Sequence, residues 1–139
     1  MHILLVEDSP ADARFTREAL EASGLPTRLA VVHDGAEAMR YLSRQGEYID
    51  ARRPDIVLLD LNLPAKDGRE VLREMKSDLD LRIIPVVMFT TSTRAEDVAE
   101  LYLLHANCYI SKPVDFDRFV EVVQGIERFW GGIATVPSA

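Results

Sequence analysis

Five short apolar runs punctuate the chain: His2–Val6, Thr27–Val32, Asp55–Asp60, Pro85–Phe89 and Cys108–Ile110. Each is too short for a helix. The central one holds Ile56 to Leu59 unbroken between Pro54 and Pro64. Continuous apolar runs of this length, without polar alternation, are how strands buried on both faces of a parallel sheet read. Between them the apolar residues recur at helical spacing. The pattern predicts helices from Pro10 to about Ser23, from Gly35 through Ala38, Met39 and Leu42, and from Asp67 through Val71, Leu72 and Met75. Two more follow, from Arg94 to about His105 and from Asp115 to Trp130.

Local signals sharpen the boundaries. Ser9-Pro10-Ala11-Asp12 predicts a helix start, with Ser9 as N-cap, Pro10 at the first helical position and Asp12 closing a capping box. Gly24 and the pair Gly131-Gly132 are expected to end the first and last helices. Gln45–Pro54 is a polar link longer than the usual connection. Strict alternation of strand and helix predicts an α/β fold, a doubly wound five-stranded parallel sheet covered on both faces. Right-handed crossovers with one switch point give the order 2-1-3-4-5. Residues 1–130 form one domain, and 131–139 a C-terminal tail too short to be an output domain.

Composition narrows the class. A chain of 139 residues, 47% hydrophobic and 28% charged, suits one globular domain with a real core. No apolar run is long enough to span a bilayer, and Met1–Val6 leads into a strand rather than a signal peptide. One cysteine, Cys108, fits a reducing cytoplasm and is expected to be plain core. A net charge of −7 with scattered Lys and Arg disfavours nucleic acid as a partner. His2, His33 and His105 are isolated and carry no functional expectation.

In an open α/β sheet, ligands bind at the carboxyl ends of the strands. The predicted order brings Glu7, Asp8, Asp60, Thr90 and Lys112 to one such edge. Each has a plain alternative: Glu7 and Asp8 as helix-dipole partners, Thr90 as a loop hydroxyl, Lys112 as a surface lysine. Their convergence on one edge outweighs these. Three clustered carboxylates repel unless a cation neutralises them, and Mg²⁺ is the hard divalent ion that fits oxygen ligands with retained waters. Carboxylate, Mg²⁺, Lys and Thr together suit phosphoryl transfer onto Asp60.

These residues resemble the receiver domain of two-component response regulators over residues 1 to about 130. The resemblance rests on Glu7-Asp8 after the first strand, Asp60-Leu61-Asn62-Leu63-Pro64-Ala65-Lys66-Asp67-Gly68, Thr90 after the fourth and Lys112-Pro113 after the fifth. It implies a flavodoxin-like receiver fold and a stand-alone regulator whose Asp60 accepts phosphate from a sensor histidine kinase. It assigns Mg²⁺ to Asp8, Asp60 and the carbonyl of Asn62, with Glu7 holding metal-bound water. Phosphate contacts fall to Thr90 and Lys112, the aromatic switch to Tyr109, and a cis bond to Lys112-Pro113. The protein would catalyse its own phosphorylation and dephosphorylation without acting as an enzyme on other substrates. Glu-Asp replaces the commoner Asp-Asp, and Thr91 stands where many relatives have Ala or Gly. Within the family, the Gln45–Pro54 link, Thr90-Thr91-Ser92, Asn107-Cys108-Tyr109-Ile110 and Phe129-Trp130 resemble single-domain regulators paired with bacterial phytochromes.

Three other readings compete. An aspartyl-phosphate phosphatase would carry a second Asp at position 62, where Asn62 cannot shuttle a proton. A nucleotide- or flavin-binding domain would need a glycine-rich phosphate loop after the first strand. A pseudo-receiver acting by binding alone is expected to lack Asp60 or Lys112. Apolar residues in excess of the core's needs, Leu101, Leu104, Val122, Phe129 and Trp130, predict a homodimer through the fourth helix, fifth strand and fifth helix.

Overall fold

The computed structural model describes residues 1–137. Its five strands are β1 (His2–Val6), β2 (Arg28–Val32), β3 (Ile56–Leu59), β4 (Val86–Thr90) and β5 (Cys108–Ser111). All pair in parallel in the order β2-β1-β3-β4-β5. The helices are α1 (Pro10–Ser23), α2 (Gly35–Leu42), α3 (Gly68–Ser77), α4 (Ala95–Leu103) and α5 (Phe116–Arg128). β1, β3 and β4 are buried along their whole length, as unbroken apolar runs require.

Side chains alternate between the two faces of the sheet, and each face builds its own core. Leu4, Val57, Leu59 and Met88 pack with Leu72 and Met75 of α3 and with α2 and α4. Ile3, Leu5, Leu58 and Phe89 pack with Leu20 of α1 and with Phe119 and Val123 of α5. Gln124 Nε2 donates to the Ala19 carbonyl at 3.0 Å and ties α5 to α1.

The first helix starts and stops where its residues predict. The Ser9 hydroxyl accepts from the Asp12 amide at 3.2 Å, and Gly24 ends the helix at φ 73°. The capping box is not reciprocal, however. The Ser9 amide donates to Glu7 Oε2, leaving the Asp12 carboxylate to another partner.

Several expectations need correction. The Lys112-Pro113 bond is trans, like every described peptide bond; trans is the form an X–Pro amide ordinarily favours, and it leaves the Lys112 ammonium within reach of the site. Leu101, on the inner face of α4, is completely buried and cannot be an interface residue. Leu104 is half-buried against the same core, while Tyr102 and Leu103 face outward, Leu103 at 78% exposure. Val122 and Trp130 are half-buried against the α5 side of the core, and Phe129 stays 46% exposed. Cys108 is half-buried rather than core, because β5 is the sheet's outer strand.

The glycine pair does not end the last helix directly. The α-helix stops at Arg128 and widens into a π turn over Phe129–Ile133, closed by Ala134 donating to the Phe129 carbonyl at 2.7 Å. Gly131 then lies against the Met1 side chain, where a Cβ would come within 3.2 Å of it. Val136 of the tail packs back on the core.

Candidate phosphoacceptor site

Asp60 follows the last residue of the central strand, and its backbone decides where its carboxylate points. The Leu61 amide donates to Asp60 Oδ1 at 2.7 Å, turning Oδ2 toward Lys112 Nζ at 3.0 Å. Gly68 closes this corner. Its amide donates to the Leu61 carbonyl at 2.8 Å, and a Cβ there would sit 2.2 Å from the Asp60 carbonyl oxygen. Only a glycine lets α3 begin so close to the end of β3.

Glu7 and Asp8 arrive from the neighbouring β1. One carboxylate oxygen from each of Glu7, Asp8 and Asp60 can be chosen so that all lie within 4.8 Å of one another. Glu7 is buried, Asp60 nearly so and Asp8 exposed, so the cluster opens to solvent on the Asp8 side. Asn62 lies in an exposed position two residues beyond Asp60.

Lys112 enters from the end of β5 with its side chain 3% exposed. Its ammonium bonds to Glu7 Oε1, to Asp60 Oδ2 at 3.0 Å and to Asp12 Oδ2 at 3.1 Å. Burial alone would lower the lysine pKa, but Glu7 and Asp60 more than reverse this and raise it, keeping the group charged. Glu7 carries the opposite burden. Burial pushes its carboxyl up to about 7, only partly opposed by Lys112 and further raised by Asp60.

Thr90 closes β4, fully buried, with a hydroxyl that has no hydrogen-bond partner. A buried unpaired hydroxyl is costly unless something else completes it. This orphan donor and the solvent-open carboxylate cluster fit a site for a hard divalent cation and an incoming phosphoryl group.

Around Thr90, the next loop is heavily tethered. The Ser92 carbonyl accepts from Tyr109 Oη at 3.0 Å and from Ser111 Oγ at 3.1 Å. The Ser92 hydroxyl donates to Asp97 Oδ2 at 2.5 Å, and Asp97 Oδ1 accepts from Arg69 Nη2 of α3 at 2.8 Å. Arg69 also pairs with Glu100. Thus Glu7, Asp8, Asp60 and Lys112 meet at one edge, with Thr90 at the end of the adjacent strand. Tyr109 lies beyond them and reaches the loop that follows Thr90.

Sequence reasoning missed Asp12 and Ser92. Asp12 has a local explanation as a capping residue, and Ser92 is one of several hydroxyl residues in a loop. The remaining signal for Asp12 was its position in the first turn after an acidic pair.

Comparison with known proteins agrees with this fold. Residues 3–124 match the response regulator receiver domain family. Response regulator Rcp1 of Synechocystis sp. is 50% identical over 137 residues, which span 99% of this chain and 93% of that protein. The Mn²⁺-bound form of Rcp1 aligns with a TM-score of 0.93 at 50% identity, covering 99% of both chains. The phosphorylated cyanobacterial phytochrome response regulator RcpA aligns with a TM-score of 0.95 at 52% identity, covering 99% of this chain and 98% of that one. The chain therefore belongs to the response regulator receiver domain family, and its relatives include phytochrome response regulators.

Proposed function

We propose that Asp60 is the phosphoacceptor of a signalling switch, fed by the phosphohistidine of a sensor kinase of the phytochrome type. The observation that carries this reading is the meeting of three carboxylates with the buried ammonium of Lys112 at the end of the central strand. Asp8, Asp60 and the carbonyl of Asn62 would hold Mg²⁺, with Glu7 keeping a metal-bound water. When bound, the ion supplies positive charge to the phosphoryl oxygens and relieves the repulsion among the carboxylates.

The chain's own residues do the rest. A carboxylate oxygen of Asp60 attacks phosphorus as the bond to the donor histidine nitrogen breaks, and the phosphoryl group ends on Asp60. Lys112 exchanges its bond to Asp60 Oδ2 for one to the transferred group. Thr90 offers its unpartnered hydroxyl to the same group. Asn62 cannot shuttle a proton as a second aspartate would, so the acyl phosphate persists long enough to signal. This separates a switch from a phosphatase. The retention of Asp60 and Lys112 argues against a receiver that only binds.

The output is a change in the surface of α4, β5 and α5. Movement of Thr90 toward the phosphoryl group draws on the loop whose Ser92 carbonyl is held by Tyr109, biasing a two-state element. The exposed Tyr102, Leu103 and Phe129, with half-buried Trp130 and Val122, favour a second copy of the chain as the partner at this surface. Incubation with acetyl phosphate and Mg²⁺ should add one phosphoryl group by intact mass, and EDTA should prevent it. A protein that gains no mass, or gains it equally in EDTA, is not this switch.

A further inference from the structure

The ammonium of Lys112 has three N–H donors, and three carboxylates surround it: Glu7, Asp12 and Asp60. Two of these, Glu7 and Asp60, belong also to the carboxylate cluster that fits a divalent cation. Lysine and cation therefore draw on the same two carboxylates, and they repel each other. Asp12 stands outside that cluster. It sits in the first turn of α1 with its side chain 28% exposed, and its carboxylate turns to Lys112 at 3.1 Å. The Ser9 amide, which a capping residue at this position would take, is instead held by Glu7 Oε2.

We propose that Asp12 is a positioning residue for Lys112. It keeps the ammonium at the edge of the site when Glu7 and Asp60 are engaged by a divalent cation, so the lysine stays within reach of a phosphoryl group on Asp60. Without Asp12, Lys112 has only the cluster's own carboxylates to bind and opposes the cation more strongly. The inference rests on reading Glu7, Asp8 and Asp60 as a divalent-cation site. An acidic residue near a helix N-terminus also favours the helix dipole, but that role does not depend on Lys112.

The test is a double-mutant cycle read by calorimetric titration of Mg²⁺ into the full chain. Asp12→Asn should weaken Mg²⁺ binding about three- to tenfold, and Asp12→Glu should restore most of it. In a Lys112→Met background the same Asp12→Asn change should cost less than about twofold. An equal loss in both backgrounds, or no loss in the first, overturns the inference. A second measurement leaves Lys112 in place, in case its substitution unfolds the chain. In Mg²⁺-saturated protein the Lys112 ammonium nitrogen should give a protected NMR signal that Asp12→Asn loses to exchange and Asp12→Glu keeps. An unchanged signal in Asp12→Asn overturns the inference as well. A parent chain that binds no Mg²⁺ would remove the cation reading beneath it, a different failure from a parent that binds while Asp12 proves indifferent.

Discussion

Glu7 bears much of the electrostatic cost of assembling this site. Its carboxyl is pushed from an ordinary value of 4.5 to about 7, chiefly by burial. Between those values the folded chain holds a proton that the unfolded chain has released. Stability from this group is therefore greatest below about pH 4.5 and declines as pH rises, with the whole cost present above about 7. Lys112, raised by Glu7 and Asp60 against the effect of burial, stays charged across this window and adds no slope there. Urea unfolding of metal-free protein should show this decline between about pH 4.5 and 7, with a shallower one in Glu7→Gln. Equal slopes in the two proteins would mean that Glu7 titrates normally. Gly68 makes a steric prediction at the same scale. Gly68→Ala should cost about 1–3 kcal/mol in unfolding free energy, because the new Cβ meets the Asp60 carbonyl rather than a yielding side chain. At residue scale Asp60, Glu7, Asp8 and Lys112 were legible because each ends an apolar strand at the same sheet edge, a convergence that outweighs the plain alternative each has alone. Asp12 was not, because a first-turn aspartate already has a local use.

Among the elements, the buried strands and α1 were read closely because their signals are local: unbroken apolar runs, Ser9, Pro10 and Gly24. Departures gather where tertiary contacts overrule such signals. Packing of Gly131 on Met1 accompanies a π turn where a glycine stop was expected, and the outer position of β5 half-exposes Cys108. The trans Lys112-Pro113 bond also falls at the end of this outer strand. α5 offers a clean test of helix propensity. An added Cβ at Gly125 meets nothing within 4 Å, so Gly125→Ala should stabilise the chain by roughly 0.5–1 kcal/mol, read from the denaturation midpoint. In the proposed switch, the loop between β4 and α4 couples site to surface through the bonds that Tyr109 and Ser111 make to Ser92. Thr90→Ala should still accept phosphate, yet show smaller NMR shift changes at Tyr109 and Ser111 on phosphorylation, because the pull on Ser92 is lost. Shift changes matching the parent would leave Thr90 outside the switch.

For the whole molecule, the order of strands does the chemical work. Placing β1 and β4 on either side of β3 brings Glu7, Asp8 and Thr90 to Asp60, and β5 delivers Lys112 from beyond them. The alternation of elements made that order legible. The proposed partner surface was only partly legible, since the run Leu101-Tyr102-Leu103-Leu104 requires that some of its residues be exposed without saying which. Leu101 is the buried one, whereas Tyr102 and Leu103 are outward. Sedimentation of the parent should show self-association at tens of micromolar (roughly the range of weak symmetric contacts), altered by phosphodonor and weakened by Phe129→Asp. A monomer under both conditions would remove the dimer. Trapping the acyl phosphate with borohydride and locating the product by tandem mass spectrometry reads the phosphorylated position itself. Reduction of an aspartyl phosphate leaves homoserine. With Asp60 as the phosphoacceptor, homoserine should appear at position 60 alone after treatment with phosphodonor and Mg²⁺, and none in Asp60→Asn; homoserine at another aspartate, or undiminished phosphate in the Asn variant, would show that Asp60 is not the phosphoacceptor.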